Sequence, residues 1–470
     1  MDLAALKQKL GRIGQEQVLR FESQLSAAEK HRLAAQLAAL DLDDIAELVE
    51  TQVKRKASFE LPKKIEPVRA YPRVPGPEQR DLYARAEQRG HEMLRQGMVG
   101  AFLVAGGQGT RLGYDGPKGE FPVTPVKSKP LFRVFAEQLL AHSRDAGRSI
   151  PWYIMTSDAN DAATRAFFER NNFFGYPRED VLFFQQGMMP AFSMDGKMLL
   201  AERASLALSP DGHGGSLRAI AKSGALADMK RRGVAHLSYF QVDNPIVHTI
   251  DPQFLGLHDL TGSEMSSKTI PKAEPLEKVG NFVIGDGVLQ VIEYSDLPRE
   301  LALEELADGT PRFNAGSIAI HALRVGFIER LNASGRLELP WHRAEKKVEH
   351  VDERGNHIEP EKPNAVKLEQ FVFDAIPLAR NAIVYETERA EEFSPVKNAE
   401  GVDSPATSRR DQIRRAARWL RGAGVEVPMT GDEPDAVIEI SPLYATSAAQ
   451  LKSRRPKLEP IRPGASVYLE

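Results

Sequence analysis

The sequence predicts an α/β protein: a doubly wound central domain, a helical segment before it and a small appendage after it. Three observations carry this. From Val99 onward, short apolar runs alternate with helical stretches. Before that point, apolar residues recur at helical spacing, and after about residue 430 only one short apolar run remains. Length sets the scale, since 470 residues suggest two to four domains and a core able to enclose a ligand cleft.

In chain order, residues 1–97 read as a helical segment with a proline-rich connector. Leu3, Leu6, Leu10 and Ile13 share one helix face. Ser26 and Glu29 have capping-box spacing ahead of the Ala/Leu-rich run 27–40. Pro62, Pro67, Pro72, Pro75 and Pro77 make 53–77 an extended connector, and 78–97 returns to helix. Residues 98–400 form the central domain. Its strands are expected in VGAFLVAGG (99–107), IPWYIMTSD (150–158), VLFFQQG (181–187) and HLSYFQVDN (236–244), with a hairpin in GNFVIGDGVLQVIEY (280–294) around Gly285-Asp286-Gly287. Residues 401–470 hold a basic helix (408–422), read as a solvated face, and the appendage with its apolar run 437–443.

Composition excludes several functions. The chain is 42% hydrophobic and 27% charged, which is globular and not disordered. Its net charge of -3 gives no footprint for nucleic acid or an anionic membrane, so any phosphate must be held at a local site. Without cysteine there is no disulfide, thiolate nucleophile or thiolate-bound metal. No apolar run approaches the roughly 20 residues of a membrane span, and the N-terminus lacks a leader pattern, so the expected compartment is the cytoplasm. The Asn332-Ala333-Ser334 sequon is then a chance match. No obligate protein partner is evident.

The strongest local signal is AFLVAGGQGTRLGYDGPKGEFPV, residues 101–123. A strand runs into Gly106-Gly107-Gln108-Gly109-Thr110-Arg111. Glycines allow positive φ and leave backbone N–H groups open to phosphate oxygens. Arg111 can grip phosphate with two donors, and Lys118 adds a point charge. No Gly-Lys-Ser/Thr ends the loop, so it is not a Walker A loop. Leu112 breaks the dinucleotide fingerprint, which disfavours an NAD-linked dehydrogenase.

GGQGTRLG…PKG resembles the signature of the eukaryotic-type UDP-sugar pyrophosphorylases, closest to their UDP-N-acetylhexosamine branch. IPWYIMTS (150–157), FFQQGMMPAF (183–192), SPDGHGG (209–215), FQVDNPIV (240–247), VIEYS (291–295), FNAGSIAIH (313–321), KLEQFVFD (367–374) and EEFSPVKNAEG (391–401) resemble further blocks of that family, in order. The resemblance implies a Rossmann-like (GT-A-like) nucleotidyltransferase domain with a mixed sheet. It also implies uridylyl transfer from UTP to a hexose 1-phosphate, N-acetylglucosamine 1-phosphate foremost, with Mg2+ or Mn2+ as cofactor.

It further assigns residues. Gly106, Gly107, Gln108, Gly109 and Thr110 would form the nucleotide loop, with Gly212 and His213 beside the base and ribose. Gln186 would read the uracil edge through its paired donor and acceptor. Asp243, at a strand end, would hold the metal, although the following Asn244-Pro245 also suits a helix N-cap. Arg111, Lys118 and Lys397 would be the catalytic cations. Gly280, Glu293 and Ser317 would contact the sugar, with Phe371 and Phe373 as walls; two such phenylalanines otherwise read as one face of a strand.

Two positions depart from the branch pattern. His213 replaces its usual Asn, as in the UDP-glucose branch, and Ser317 replaces an Asn that contacts the N-acetyl group. Glucose or galactose 1-phosphate is therefore the alternative substrate. A catalytically inactive nucleotide-sugar-binding regulator is a further alternative, which the retention of all four charged residues disfavours.

Overall fold

The computed structural model describes residues 3–55, 60–454 and 459–470. Residues 56–59 of the expected connector lie outside them. The chain folds as two compact units. The smaller gathers residues 1–61, 186–218 and 337–374, and the larger takes the rest.

The larger unit is built on a ten-stranded mixed sheet: β1 (Ile65–Pro67), β2 (Val99–Val104), β3 (Trp152–Thr156), β4 (Val181–Gln185), β5 (His236–Gln241), β6 (Met265–Pro271), β7 (Asn281–Gly285), β8 (Val288–Ile292), β9 (Ala315–Arg324) and β10 (Ile383–Glu386). The four expected runs form its parallel heart, in the order β5-β2-β3-β4. Helices Leu131–Ala146 and Asp161–Arg170 join β2 to β3 and β3 to β4. β2, β3 and β5 are buried almost throughout, which is why they read as unbroken apolar runs. β9 runs antiparallel beside β5 and makes the sheet mixed. β7 and β8 form the expected hairpin, turning at Asp286 and Gly287, both at positive φ.

β2 comes first in the parallel set. The chain then moves outward through β3 and β4 and returns to pair β5 on the other side of β2. The direction of winding thus reverses between β2 and β5, and such switch points open a crevice at the strands' carboxyl ends. Phe168, in the helix after β3, centres an aromatic cluster with Phe132, Trp152, Phe173, Phe174 and Phe183. It anchors the helix that follows the glycine loop. A second clamp lies under β5. Helices Arg80–Gln96 and Pro252–Leu260 cross where Gly90 meets Pro252 and Gly256 meets Ala86. A side chain at either glycine would fall on a backbone carbonyl.

Helix Pro405–Gly422 is the expected basic helix, but it is not merely a solvated face. Arg409 donates to the Pro122 carbonyl at 2.9 Å, and Arg415 Nη1 donates to the carbonyls of Ile246 and Glu391 at 3.0 Å each. Its arginines fasten it to the sheet domain. The appendage pairs Ala436–Ile440 with Ala465–Leu469 in parallel. Its Glu439 accepts from the backbone N–H groups of Val126 and Lys127 at 2.8 and 2.7 Å.

In the smaller unit, Ser26 and Glu29 form the expected capping box on helix Ala27–Ala39. The faces of helices Leu3–Arg12, Ala27–Ala39 and Leu42–Leu48 pack with Met189, Phe192, Met198, Leu206, Val366 and Leu368. Phe192–Ser193, Ala365–Glu369 and His342–Lys346 form its three-stranded sheet.

The helix crossing yields a direct test. Gly90→Ala should destabilise the fold by about 2–3 kcal/mol through overpacking, read as a lowered denaturant midpoint at unchanged slope.

Candidate active site

The parallel pairing of β2 with β5 brings two predicted elements together. Gln241 lies opposite Val104, and Val242 N donates to the Val104 carbonyl at 3.1 Å. The glycine loop leaving β2 and Asp243 leaving β5 therefore start side by side at the switch point. Asp243 does not cap a helix, contrary to one reading of Asn244-Pro245. The next helix is capped by Asp251, whose Oδ1 accepts from Phe254 N at 3.1 Å.

The loop's geometry differs from the simplest glycine expectation. Positive φ falls on Gly113 and Gly116, while Gly109 sits at φ -81°. Gly109 is needed for space, since a Cβ there would press on the Tyr114 backbone and side chain at about 3 Å. Gly107 is exposed, and a Cβ there would meet only Lys118 Cε, at 3.9 Å. Lys118 N donates to the Gly107 carbonyl at 3.1 Å, so the lysine stem folds back across the loop. The Lys118 turn is pressed to the core, because a side chain at Gly119 would overlap the Phe132 ring. Thr110 and Arg111 are exposed on a single 3-10 turn. Gln108 turns aside and donates to the Ala159 carbonyl at 3.2 Å.

Burial draws the Lys118 ammonium below the ordinary lysine pKa; Asp243 opposes that shift, while Lys397 and Arg111 add to it. The four charged residues thus share one field. Lys397 arrives from another part of the chain. Val396 N donates to the Asp243 carbonyl at 2.7 Å, and Lys397 Nζ stands 3.6 Å from Asp403 Oδ2. Arg111, Lys118 and Lys397, with Asp243 among them and Asp403 paired to Lys397, gather beside the glycine loop, an arrangement suited to a polyphosphate. One carboxylate fits a hydrated Mg2+, which needs only one or two from the protein beside phosphate oxygens.

The predicted sugar residues of the larger unit also converge. Ser317 N donates to the Gly280 carbonyl at 2.8 Å. A Cβ at Gly280 would lie 3.3 Å from Glu293 Oε1 and 3.7 Å from Ser317 Cβ. Ser317 lies beside a bulge where β9 shifts register against β6 and Ala319 takes φ 53°.

The smaller unit holds the remaining candidates. Gln186 Nε2 donates to the Gly212 carbonyl at 2.7 Å. Gly212, at φ 86°, admits no side chain because the Gln370 backbone fills the space. Phe371 and Phe373 follow the strand Ala365–Glu369 and are not on it, which corrects the strand-face reading. His213 stacks on Phe371 at 5.2 Å and accepts from Val372 N through Nδ1 at 3.0 Å. Burial, with His342 nearby, pushes its pKa down to about 4, so the ring is neutral.

Sequence reasoning missed two buried amides. Asn160 Nδ2 donates to the carbonyls of Ala105 and Gly107 at 2.9 and 3.3 Å, and so holds the glycine loop from below. Asn244 does the same for the Lys397 segment. Their only sequence signal was position, just past a strand end. Among the described residues, one cluster has metal-binding spacing: His248, Asp251 and Glu392. The Lys268 ammonium already occupies it, 2.6 Å from Asp251 and 2.6 and 2.7 Å from Glu392.

Residues 47–404 match the family model described as UTP--glucose-1-phosphate uridylyltransferase. The chain belongs to this family. It is similar to the UDP-N-acetylhexosamine pyrophosphorylase-like protein 1 of Xenopus tropicalis, at 37% identity over 94% of this chain and 91% of that protein. It is 39% identical to the UDP-N-acetylglucosamine pyrophosphorylase of Saccharomyces cerevisiae over 72% of this chain and 73% of that one. A solved uridine diphosphate N-acetylglucosamine pyrophosphorylase from Trypanosoma brucei superimposes with a TM-score of 0.84 at 26% identity, covering 98% of this chain and 97% of that one. That structure thus shares the fold of this chain over nearly its whole length.

The charge cluster has a measurable cost. With its folded pKa below the unfolded one, Lys118 lowers stability at neutral pH, and the cost fades as pH rises through the ordinary lysine range. Lys118→Met should therefore hold or raise the melting temperature at neutral pH, with the difference shrinking at alkaline pH. Turnover should fall about 10²–10³-fold. A lower melting temperature with intact turnover would contradict both roles.

Proposed function

We propose that this chain forms a UDP-sugar and pyrophosphate from UTP and a hexose 1-phosphate, with N-acetylglucosamine 1-phosphate as the preferred acceptor. The observation that carries the reading is the meeting of Arg111, Lys118, Asp243 and Lys397 at the β2/β5 switch point. The named activities of relatives at 37% and 39% identity support the N-acetylhexosamine preference. No described helix is long and apolar enough to cross a membrane, and we place the enzyme in the cytoplasm.

The chemistry is an in-line displacement. An oxygen of the sugar phosphate attacks the α-phosphorus of UTP, the bond to the β-phosphate bridging oxygen breaks, and pyrophosphate leaves with that electron pair. The nucleophile is already an anion, so no general base is required. The difficulty is bringing two polyanions together, and the chain answers it with position and charge. The glycine loop offers backbone donors, and Arg111 and Lys118 neutralise the triphosphate from the loop side. Lys397 does so from the Asp243 side. Mg2+, or Mn2+, held by Asp243 would screen the phosphate charge and act as Lewis acid. Glu293 and the Gly280 backbone would accept and shape the sugar. In the smaller unit, the reading assigns the uracil edge to Gln186 and apolar faces to Phe371 and Phe373.

The short side chain of Ser317 favours a second reading in one respect, since it suits a plain hexose as well as an N-acetylated one. Pyrophosphate release with UTP across a panel of hexose 1-phosphates decides between them. N-acetylglucosamine 1-phosphate should give the highest kcat/KM, and a chelator should abolish turnover until Mg2+ is restored. A preference for glucose 1-phosphate would transfer the assignment to the second reading. Ser317→Asn should move the ratio of kcat/KM values further toward the N-acetylated substrate, by about tenfold for one added hydrogen bond. An unchanged ratio removes Ser317 from specificity.

A further inference from the structure

Asn244 follows Asp243 directly and is buried. Its Nδ2 donates to the Glu392 carbonyl at 2.7 Å, and its Oδ1 accepts from Ser394 N at 3.2 Å. Two residues on, Val396 N donates to the Asp243 carbonyl. Three hydrogen bonds thus join Asp243-Asn244 to the segment that delivers Lys397.

The far side of that segment is also held. Ser394 Oγ donates to Asp411 at 2.8 Å, and Ser408 Oγ donates to the Ser394 carbonyl at 3.0 Å. The Glu392 carboxylate accepts from Lys268 and from Thr387 Oγ1. Those bonds tie the segment to its own surroundings. The Asn244 amide and the Asp243 carbonyl tie it to the strand end that carries the Asp243 carboxylate.

We propose that Asn244 is a positioning residue, whose two-ended amide sets the spacing between Asp243 and Lys397 across the phosphate site. This rests on the uridylyl-transfer reading above. The amide serves both ends, because one partner is an acceptor and the other a donor, and its NH2 and carbonyl oxygen reach them from two separate atoms. A carboxylate at this position would keep the bond from Ser394 N and set an oxygen against the Glu392 carbonyl.

The test is a double-mutant cycle of Asn244→Asp with Lys397→Ala, reading kcat for pyrophosphate release beside thermal unfolding. With Lys397 present, Asn244→Asp should lower kcat about 100-fold, the scale of an ångström's misplacement. With Lys397 removed, the same change should cost less than about twofold, because the group being positioned is gone. A merely structural asparagine would cost the same in both backgrounds, and that result overturns the proposal. So does an Asn244→Asp enzyme within about twofold of wild type. If Asn244→Asp fails to fold by circular dichroism, Asn244→Ser goes through the same cycle with the same criteria. A wild-type protein that releases no pyrophosphate with UTP and any hexose 1-phosphate sinks the underlying reading, whereas an active wild type with an additive cycle sinks only the role of Asn244.

Discussion

The site depends on the parallel pairing of β2 with β5. That register sets the glycine loop and Asp243 on neighbouring strand ends, and the backbone bond from Val242 to Val104 continues the pairing past the last strand residue. Both strands are buried on both faces, so a slip by one residue would turn a whole set of apolar side chains to new neighbours. Hydrophobic packing thus fixes where the glycine loop and Asp243 meet, the two elements to which the proposed function assigns phosphate and metal. Only the turns beyond the strand ends are free to carry chemistry.

The charges gathered there oppose the fold. Lys118 is partly desolvated beside two other cations, with one carboxylate in partial compensation. Such a cluster stays together because its backbone is held elsewhere. Gly119 seats the lysine turn against Phe132, Asn160 holds the loop carbonyls, and Glu439 of the appendage caps the chain just beyond. On the proposed reading, the electrostatics that are unfavourable in the free protein would favour a bound triphosphate. Like charges held in place beforehand would be stabilised by an arriving polyanion with little reorganisation. The arginines of helix Pro405–Gly422 and the small C-terminal sheet also fasten backbone near this cluster, though they carry none of its charges.

Much of this was legible in the residues. The parallel heart, the β7–β8 hairpin and the capping box at Ser26 follow from local periodicity and turn chemistry, which need no tertiary information. The Gly106–Lys118 turn at the end of β2 was legible because such a dense run of glycine is unusual and marks a tight turn after a strand. Other features lie beyond local reading. The glycine at 109 marks a steric contact with Tyr114 five residues on, so its meaning was space and not positive φ. Phe371 and Phe373 alternate as strand residues do, yet the strand ends at Glu369 and the segment bends to stack on His213. Lys397 alone is an ordinary surface lysine; the hydrogen bond that brings it to the site belongs to Val396 and crosses more than 150 positions of chain.

The same distinction bears on why the side chains that brace the glycine loop and the Lys397 segment from beneath are amides, while the half-buried to exposed cluster above them is charged. The Lys268–Asp251–Glu392 cluster and the Lys129–Glu137 pair show that this fold buries an ammonium where carboxylates pair with it. A second buried ion pair beside Asp243 would compete with the carboxylate and the lysines for the same partners. Asn160 and Asn244 avoid that conflict. A neutral amide holds backbone carbonyls and N–H groups without adding a net charge to a field that already has three cations. It also gives directional bonds at both ends, which an ammonium or a carboxylate cannot. The charge of the cluster is then carried by Arg111, Lys118, Asp243 and Lys397 with its partner Asp403, while the two amides next to it add bonds and no charge.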